Sequence, residues 1–159
     1  MDLIIAISTI ILSAFFSGIE IAFVSSNKLQ LELDKGSEKI SSKIISFFSR
    51  NESSFITTML IGNNISLVIY GIAMTKLLTP LFENYFFDTY ALLLIQTIIS
   101  TLIILVTAEF LPKSIFKLFP NTTLRFFSFP ICCFYILFYP FAMFFLNGSK
   151  FIMRIFLGQ

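Results

Sequence analysis

The sequence predicts an all-α membrane protein with three transmembrane helices, a juxtamembrane helical belt, and a fourth apolar segment that is re-entrant or interfacial. Three observations carry this. Of 159 residues, 57% are hydrophobic and only 13% charged, against roughly 25% charged in soluble domains, and the mean hydropathy is +0.91. The apolar residues gather in runs of about 20, the length that crosses a bilayer's hydrocarbon. The charges gather between those runs, so residues 1–159 read as a single transmembrane domain.

The first span is expected over about 3–24, interrupted by Ser13, Ser17, Gly18 and Glu20. It has no basic flank and no small-residue cleavage site, which reads as a retained helix, not a signal peptide. The second is expected over about 55–78, with Gly62, Asn63, Asn64 and Ser66 inside it, followed by a short acidic turn over 79–88. The third, about 89–111, is expected to end at Pro112. Between the first two spans, about 28–52, apolar residues at helical spacing alternate with charges and Gly36 divides the stretch. That pattern predicts two short amphipathic helices lying along the membrane surface, an ordinary solvated loop being the alternative. The segment at about 126–146 is long enough to span but contains Pro130 and Pro140, each removing a helix hydrogen bond, so a re-entrant or interfacial segment with both ends on one side is expected, a kinked hairpin being one form of it and a fourth span the alternative.

Orientation follows from the basic residues. Lys28, Lys35, Lys39, Lys43 and Arg50 follow the first span, and Lys113, Lys117 and Arg125 follow the third. The turn after the second span holds only Glu83 and Asp88, while Lys76 before it can snorkel. The amino terminus is therefore expected outside and the carboxyl terminus in the cytoplasm. Lys150 and Arg154 after the fourth segment are the reason for keeping that segment on the cytoplasmic side.

Several classes of chemistry are disfavoured. Histidine is absent, which removes the commonest general base and a common ligand for zinc, copper and iron. Cys132 and Cys133 are adjacent and set among Phe, Ile and Leu, and read as small apolar residues. There is no phosphate-binding glycine loop and no basic stripe for nucleic acid. The spans hold no Asp and no activated Ser or Cys constellation, so no enzyme is expected. The 22 phenylalanines, beside no tryptophan, are a compositional bias carrying no functional signal.

Ionisable groups inside a span are functional hypotheses by default, and here there are two, Glu20 and Glu109. Measured from boundaries near Ser26, Ser54 and Lys113, Ser17 lies nine residues inside, Glu20 six, Asn63 nine and Glu109 four. Ser13, Ser17 and Glu20 fall at i, i+4 and i+7 on one face. Ala14, Gly18 and Ala22 form a neighbouring small stripe that permits close helix approach, and Gly18 could loosen the helix to expose carbonyl oxygens. Pro112 cannot donate to the carbonyl of Ala108, which leaves a free backbone oxygen beside Glu109. Hydroxyl, amide, carboxylate and carbonyl oxygens are hard donors that suit Mg²⁺, Ca²⁺ or Na⁺. Alternatively the Ser and Asn residues only bridge helices, and Glu109 pairs with Lys113 at i+4.

Phe16-Ser17-Gly18-Ile19-Glu20-Ile21-Ala22, then Leu60-Ile61-Gly62-Asn63-Asn64, then Glu109-Phe110-Leu111-Pro112-Lys113 occur in this order. Together they resemble the transmembrane domain of the CNNM/CorB/CorC family of magnesium transporters, over almost the whole chain. The resemblance implies a homodimer in the bacterial plasma (inner) membrane, and export of Mg²⁺ as substrate driven by inward Na⁺ movement. It implies Mg²⁺ held by Ser17, Asn63 and Glu109 with backbone carbonyls, Gly18 among them; Ser13, Glu20, Asn64, Ala108, Pro112 and Lys113 are possible supporting residues. Many members carry a second asparagine four residues after the first, where this sequence has Leu67, and Asn64 is the candidate to stand in. The family normally continues into a cytoplasmic CBS pair that binds ATP; the sequence stops at Gln159, where that module is expected to begin in a longer protein. Some members are haemolysin-like or accessory to gliding machinery, so a non-transporting scaffold or regulator of the same fold is the competing expectation.

Overall fold

The computed structural model describes residues 1–27, 40–83 and 88–157. They form α1 (Asp2–Ser25), α2 (Ile40–Arg50), α3 (Glu52–Phe82), α4 (Thr89–Ile104), a π-helical turn (Leu105–Phe110), α5 (Leu111–Leu118), α6 (Pro120–Phe126) and α7 (Ser128–Leu157). Among the described residues four stretches are long and apolar enough to cross a membrane: α1, α3, the run Thr89–Leu118 and Ser128–Ile155. Their outer faces carry exposed Leu, Ile and Phe side chains, such as Ile4, Ile11, Val68, Ile72 and Leu102. Water would penalise a surface of this kind, and lipid would not.

The central element is α1, which packs against α3, the π turn, α5 and α6. Ala6, Thr9, Ser13, Phe16 and Phe23 are all buried, a three-four spacing that keeps one stripe facing inward. Two apolar clusters lie along that stripe. The inner one joins Phe16, Ile19, Ala22 and Phe23 to Phe48 of α2, Phe55 and Met59 of α3, Leu124 of α6, and Ile131 and Tyr135 of α7. Its rings meet at close centroid distances: Phe23–Phe55 at 4.3 Å, Phe48–Phe55 at 4.7 Å and Phe48–Tyr135 at 5.0 Å. Such pairs contribute about 0.5–1.5 kcal/mol beyond their buried area, and they fasten α2 and α7 to the carboxyl end of α1 and the amino end of α3. The outer cluster joins Ala6 to Tyr70, Ala73, Met74 and Leu78 of α3, Ile104 of α4 and Ala108. The polar residues Ser13, Asn63 and Ser66, all buried, sit between the two clusters.

Four prolines behave differently from the sequence expectation. Pro112 does not end the third span; the helix widens into the π turn and runs on to Leu118. A wider turn relieves the clash that a proline ring makes with the carbonyl four residues back. Pro80 lies inside the last turn of α3, so that helix outlasts the expected end at 78. The segment over 126–146, for which a kinked hairpin is one expected form, is instead part of one continuous helix of 30 residues, α7. Pro130 falls in its first turn, where N–H groups have no helical partner anyway. Only Pro140 lies in the interior, and a single proline bends a helix without reversing it.

Within the stretch expected to form the belt, residues 40–50 form the helix α2, whose buried residues are Ser42, Ile45, Ser46 and Phe48; the part over 28–39 lies outside the described residues. One face of α7 (Tyr135, Tyr139, Met143, Leu146 and Lys150) lines a pocket together with Phe47 and residues 49–54 of the α2–α3 junction. Tyr135 and Ser54 share a hydrogen bond of 3.1 Å there. This face of α7, Lys150 included, therefore lies against the amino end of α3.

Gly62 allows α1 and α3 to touch. A Cβ there would stand 2.6 Å from the tip of the Phe16 ring, whereas a Cβ on Gly71 of the same helix would meet nothing within 4 Å. Gly62→Ala should cost about 1–3 kcal/mol by overpacking, while Gly71→Ala should be neutral or stabilising by about 1 kcal/mol through helix propensity. Thermal unfolding of the two variants in detergent checks this, and equal melting temperatures would refute the contact.

Candidate ion site

The inward stripe of α1 carries its oxygens at defined levels. Ser13 donates its hydroxyl to Asn63 Oδ1 of α3 at 2.6 Å, with both residues buried. This hydrogen bond crosses between helices where lipid offers no competing water. Ser66, one turn along α3, donates instead to the carbonyl of Gly62 at 2.9 Å, and Thr9 donates to the carbonyls of Ile5 and Ala6.

One turn inward from Ser13 is Ser17. It is 0% exposed, and its Oγ has no hydrogen-bond partner. Leaving a buried hydroxyl unsatisfied costs about 1–3 kcal/mol, and native structures leave few such groups without a reason. Beside it, Gly18 keeps regular helical geometry within α1, so the helix does not open there. The space over Gly18 is filled by Phe116 of α5: a Cβ would stand 2.4 Å from that ring. In the small stripe, Ala22 is fully buried in the inner cluster and Ala14 packs on the outer one.

Glu109 sits inside the π turn and is half-buried. π turns concentrate at functional sites because a helix tolerates their extra residue only at a cost. The Leu111 N–H reaches back five residues to the carbonyl of Val106. Pro112 follows, buried, and has no N–H for the carbonyl of Thr107 in π register or of Ala108 in α register. Glu109 lines a pocket of 430 Å³ with Ile21, Leu105, Phe110, Lys113, Ser114 and Lys117. Both Lys113 and Glu109 act on the Glu20 carboxylate of α1, the lysine attracting and the glutamate repelling it. Lys113 thus lies near Glu20 of α1 and lines the same pocket as Glu109.

These levels do not coincide. Ser13 marks the height of Asn63, and Glu20–Ile21 marks that of Glu109. At 1.5 Å per residue they are about 10 Å apart, with Ser17 about 6 Å from the first and about 5 Å from the second. The sequence-predicted ligands therefore form a column along α1. Asn64 is exposed, pointing away from Asn63, and Leu67 is half-buried in the outer cluster, so Asn64 does not occupy the place of a second asparagine. Among the described residues no group of three or more His, Cys, Asp or Glu side chains could hold a metal. Any cation in the column would rest mainly on neutral oxygens.

Sequence reasoning passed over Gln96 of α4. It is 2% exposed and donates to Thr79 Oγ1 of α3 at 3.1 Å. Near it the Tyr70 hydroxyl donates to the carbonyl of Ser100 at 3.0 Å. A glutamine in mid-span, with Thr97, Ser100 and Thr101 on following turns, was the available signal.

An all-helical membrane domain with a buried column of hard oxygen donors on its central helix defines a class, the polytopic membrane proteins whose polar groups lie between helices. Within that class, the Cyclin M transmembrane N-terminal domain (CNNM) model matches residues 4–158, and the chain belongs to that family. It is also 26% identical over 148 residues to the UPF0053 protein MG146 of Mycoplasma genitalium. That match covers 88% of this chain and 34% of the relative, so the chain spans about a third of the relative's length.

Phe116 over Gly18 ties α1 to the helix that carries Glu109. Gly18→Val should destabilise the protein by about 1–3 kcal/mol, and Phe116→Ala in the same chain should restore a large part of that loss. Thermal unfolding of both single variants and the double variant measures the coupling. Strict additivity would show that the two positions do not meet.

Proposed function

We propose that this domain carries Mg²⁺ as its transported substrate, exporting it from the cytoplasm in exchange for inward Na⁺, as a homodimer. Family membership supports this reading, and the observation that carries it is the fully buried, unpartnered hydroxyl of Ser17. An ion resting on that oxygen would have Asn63 about one turn outward and Glu109 about one turn inward. Hydroxyl, amide and carboxylate oxygens form a hard donor set suited to Mg²⁺, which keeps several of its waters in such sites. Glu109 supplies charge, Ser17 and Asn63 supply neutral oxygens, and Lys113 balances the acids while the site is empty. Ser13 competes with the ion for Asn63, so binding would exchange one hydrogen bond for a coordination bond.

In the same reading the amino terminus lies outside, in a bacterial inner membrane, and the carboxyl terminus is cytoplasmic. The basic residues after α1 and around α5 support that orientation. The position of Lys150 beside residues 49–54 supports an interfacial α7 with both ends on the inner side. A cytoplasmic CBS pair would follow in the full-length protein.

A scaffold or regulator of the same fold is the competing reading. The Ser13–Asn63 hydrogen bond favours it, because it satisfies Asn63 Oδ1 with no ion.

Mg²⁺ titration of the purified chain and Mg²⁺ flux in liposomes under a Na⁺ gradient separate the two. Glu109→Gln keeps shape and removes charge, and should weaken Mg²⁺ binding at least roughly tenfold, the loss that even outer partners of a metal cause. Ser17→Ala and Asn63→Ala should weaken it less, each removing a neutral oxygen. Unchanged affinity in Glu109→Gln would leave Glu109 as a structural partner of Lys113, and absent flux in the parent would favour the scaffold. For topology, Lys150→Cys in intact cells should react only with reagents that reach the cytoplasm; labelling from outside would mean that α7 crosses the membrane.

A further inference from the structure

A second polar cavity lies apart from the α1 column, between α3 and α4. It is a half-open cavity of 220 Å³ lined by Leu67, Tyr70, Gly71, Thr75, Gln96, Thr97, Ser100, Thr101 and Ile104, with Thr75 and Thr97 exposed at it and Gln96 buried. Its hydrogen-bond accounting is one-sided. Thr75 donates to the carbonyl of Gly71, Thr97 to that of Leu93, and Tyr70 to that of Ser100. Three of the lining hydroxyls therefore have their single hydrogen engaged on backbone, leaving only lone pairs to offer.

The same accounting fixes Gln96. Thr79 already donates its hydrogen to the carbonyl of Thr75 at 2.8 Å. Toward Gln96 it can only accept, so the side-chain NH₂ must face it. The amide oxygen is then turned away from Thr79, and this Oε1 is buried and without a partner. An unmet acceptor on a residue 2% exposed, in a lining where three hydroxyls have already given their hydrogens, has room for a positive group.

We propose that this cavity is a binding site for a partly hydrated monovalent alkali cation, with Gln96 Oε1 and the hydroxyl oxygens of Thr75 and Thr97 as its ligands. An anion is disfavoured because no cationic side chain lines the cavity. A divalent ion is disfavoured because no carboxylate lines the cavity, and stripping its water for neutral ligands alone would not be compensated. Lys76 neighbours Thr75 in sequence but is exposed, with a chain long enough to carry its charge to water. The volume exceeds a bare ion, so some water enters with it. The proposal does not rest on Mg²⁺ transport, since the cavity shares no residue with the α1 column.

The test uses the whole purified chain in detergent, with no Mg²⁺ in any buffer. Melting temperature is followed while NaCl replaces N-methylglucamine chloride at constant ionic strength, and ²³Na line width is recorded in parallel. The parent should show a saturable, Na⁺-specific rise in melting temperature and exchange broadening. Gln96→Leu removes the unpaired oxygen at similar size. Gly71→Leu fills the cavity from a position where an added Cβ meets nothing within 4 Å. Each should abolish the Na⁺ response or move its midpoint at least roughly tenfold, the scale of one lost interaction with a charged group. Identical melting of the parent in Na⁺ and N-methylglucamine would overturn the proposal, leaving the cavity to water. So would a Na⁺ response that survives in Gly71→Leu, which decides the question alone if Gln96→Leu does not fold.

Discussion

The close approach of α1 to its neighbours is the constraint on which the rest of the structure depends. Inside a bilayer there is no hydrophobic drive between helices, since lipid is as apolar as leucine, and association rests on surface fit and interhelical hydrogen bonds. Both are concentrated on α1. Phe16 of α1 occupies the space over Gly62 of α3, and Phe116 of α5 occupies the space over Gly18 of α1. The Ser13–Asn63 hydrogen bond fixes the axial register between α1 and α3. Once these contacts are set, apolar clusters form on either side and the polar layer is sealed from lipid. The unpartnered Ser17 hydroxyl is tolerated because the packing around it is already determined by its neighbours.

A second constraint acts from the third helix. Pro112 denies an N–H to the turn before it, and the chain answers by widening into a π turn that holds Glu109 half-buried. Had the helix ended at Pro112, α5 would not continue along α1, Phe116 would not reach Gly18, and Lys113 would not lie near Glu20. One residue type thus links the backbone irregularity to the arrangement of charge. The acids and Lys113 form a group at one end of the α1 column, and the amide of Asn63 stands at the other.

The belt is held by aromatic contact. Phe47, Phe48 and Tyr135 join α2 to α7, and Phe55 and Phe23 carry the contact on to α3 and α1. The phenylalanine-rich composition, uninformative as a functional signal, is used here as packing material. Flat, rigid rings fill the angles between helices that cross, at a lower cost in side-chain entropy than long flexible chains.

Much of the fold was legible in the sequence because the bilayer imposes a length and a polarity. Runs near 3–24, 55–78 and 89–111 had to be helices that satisfy their own backbone, and three motifs named the family and the residues Ser17, Asn63 and Glu109. The prolines were less legible, because their effect depends on position within the turn. Pro130 lies harmlessly in a first turn, Pro112 is absorbed by a π turn, and the hairpin expected of α7 does not form. The candidate residues were legible in the sequence, but their geometry was not. Periodicity puts Ser13 and Ser17 on one face, yet which of them meets Asn63 is set by the axial offset of two helices. Likewise the partner of Gly18, the unmet oxygen of Gln96 and the separation of Glu109 from Asn63 arise from contacts between distant segments. Sequence alone determines which groups must leave water for the membrane, because that is a property of each residue. Tertiary structure alone decides which of those groups meet, because that depends on how rigid helices fit.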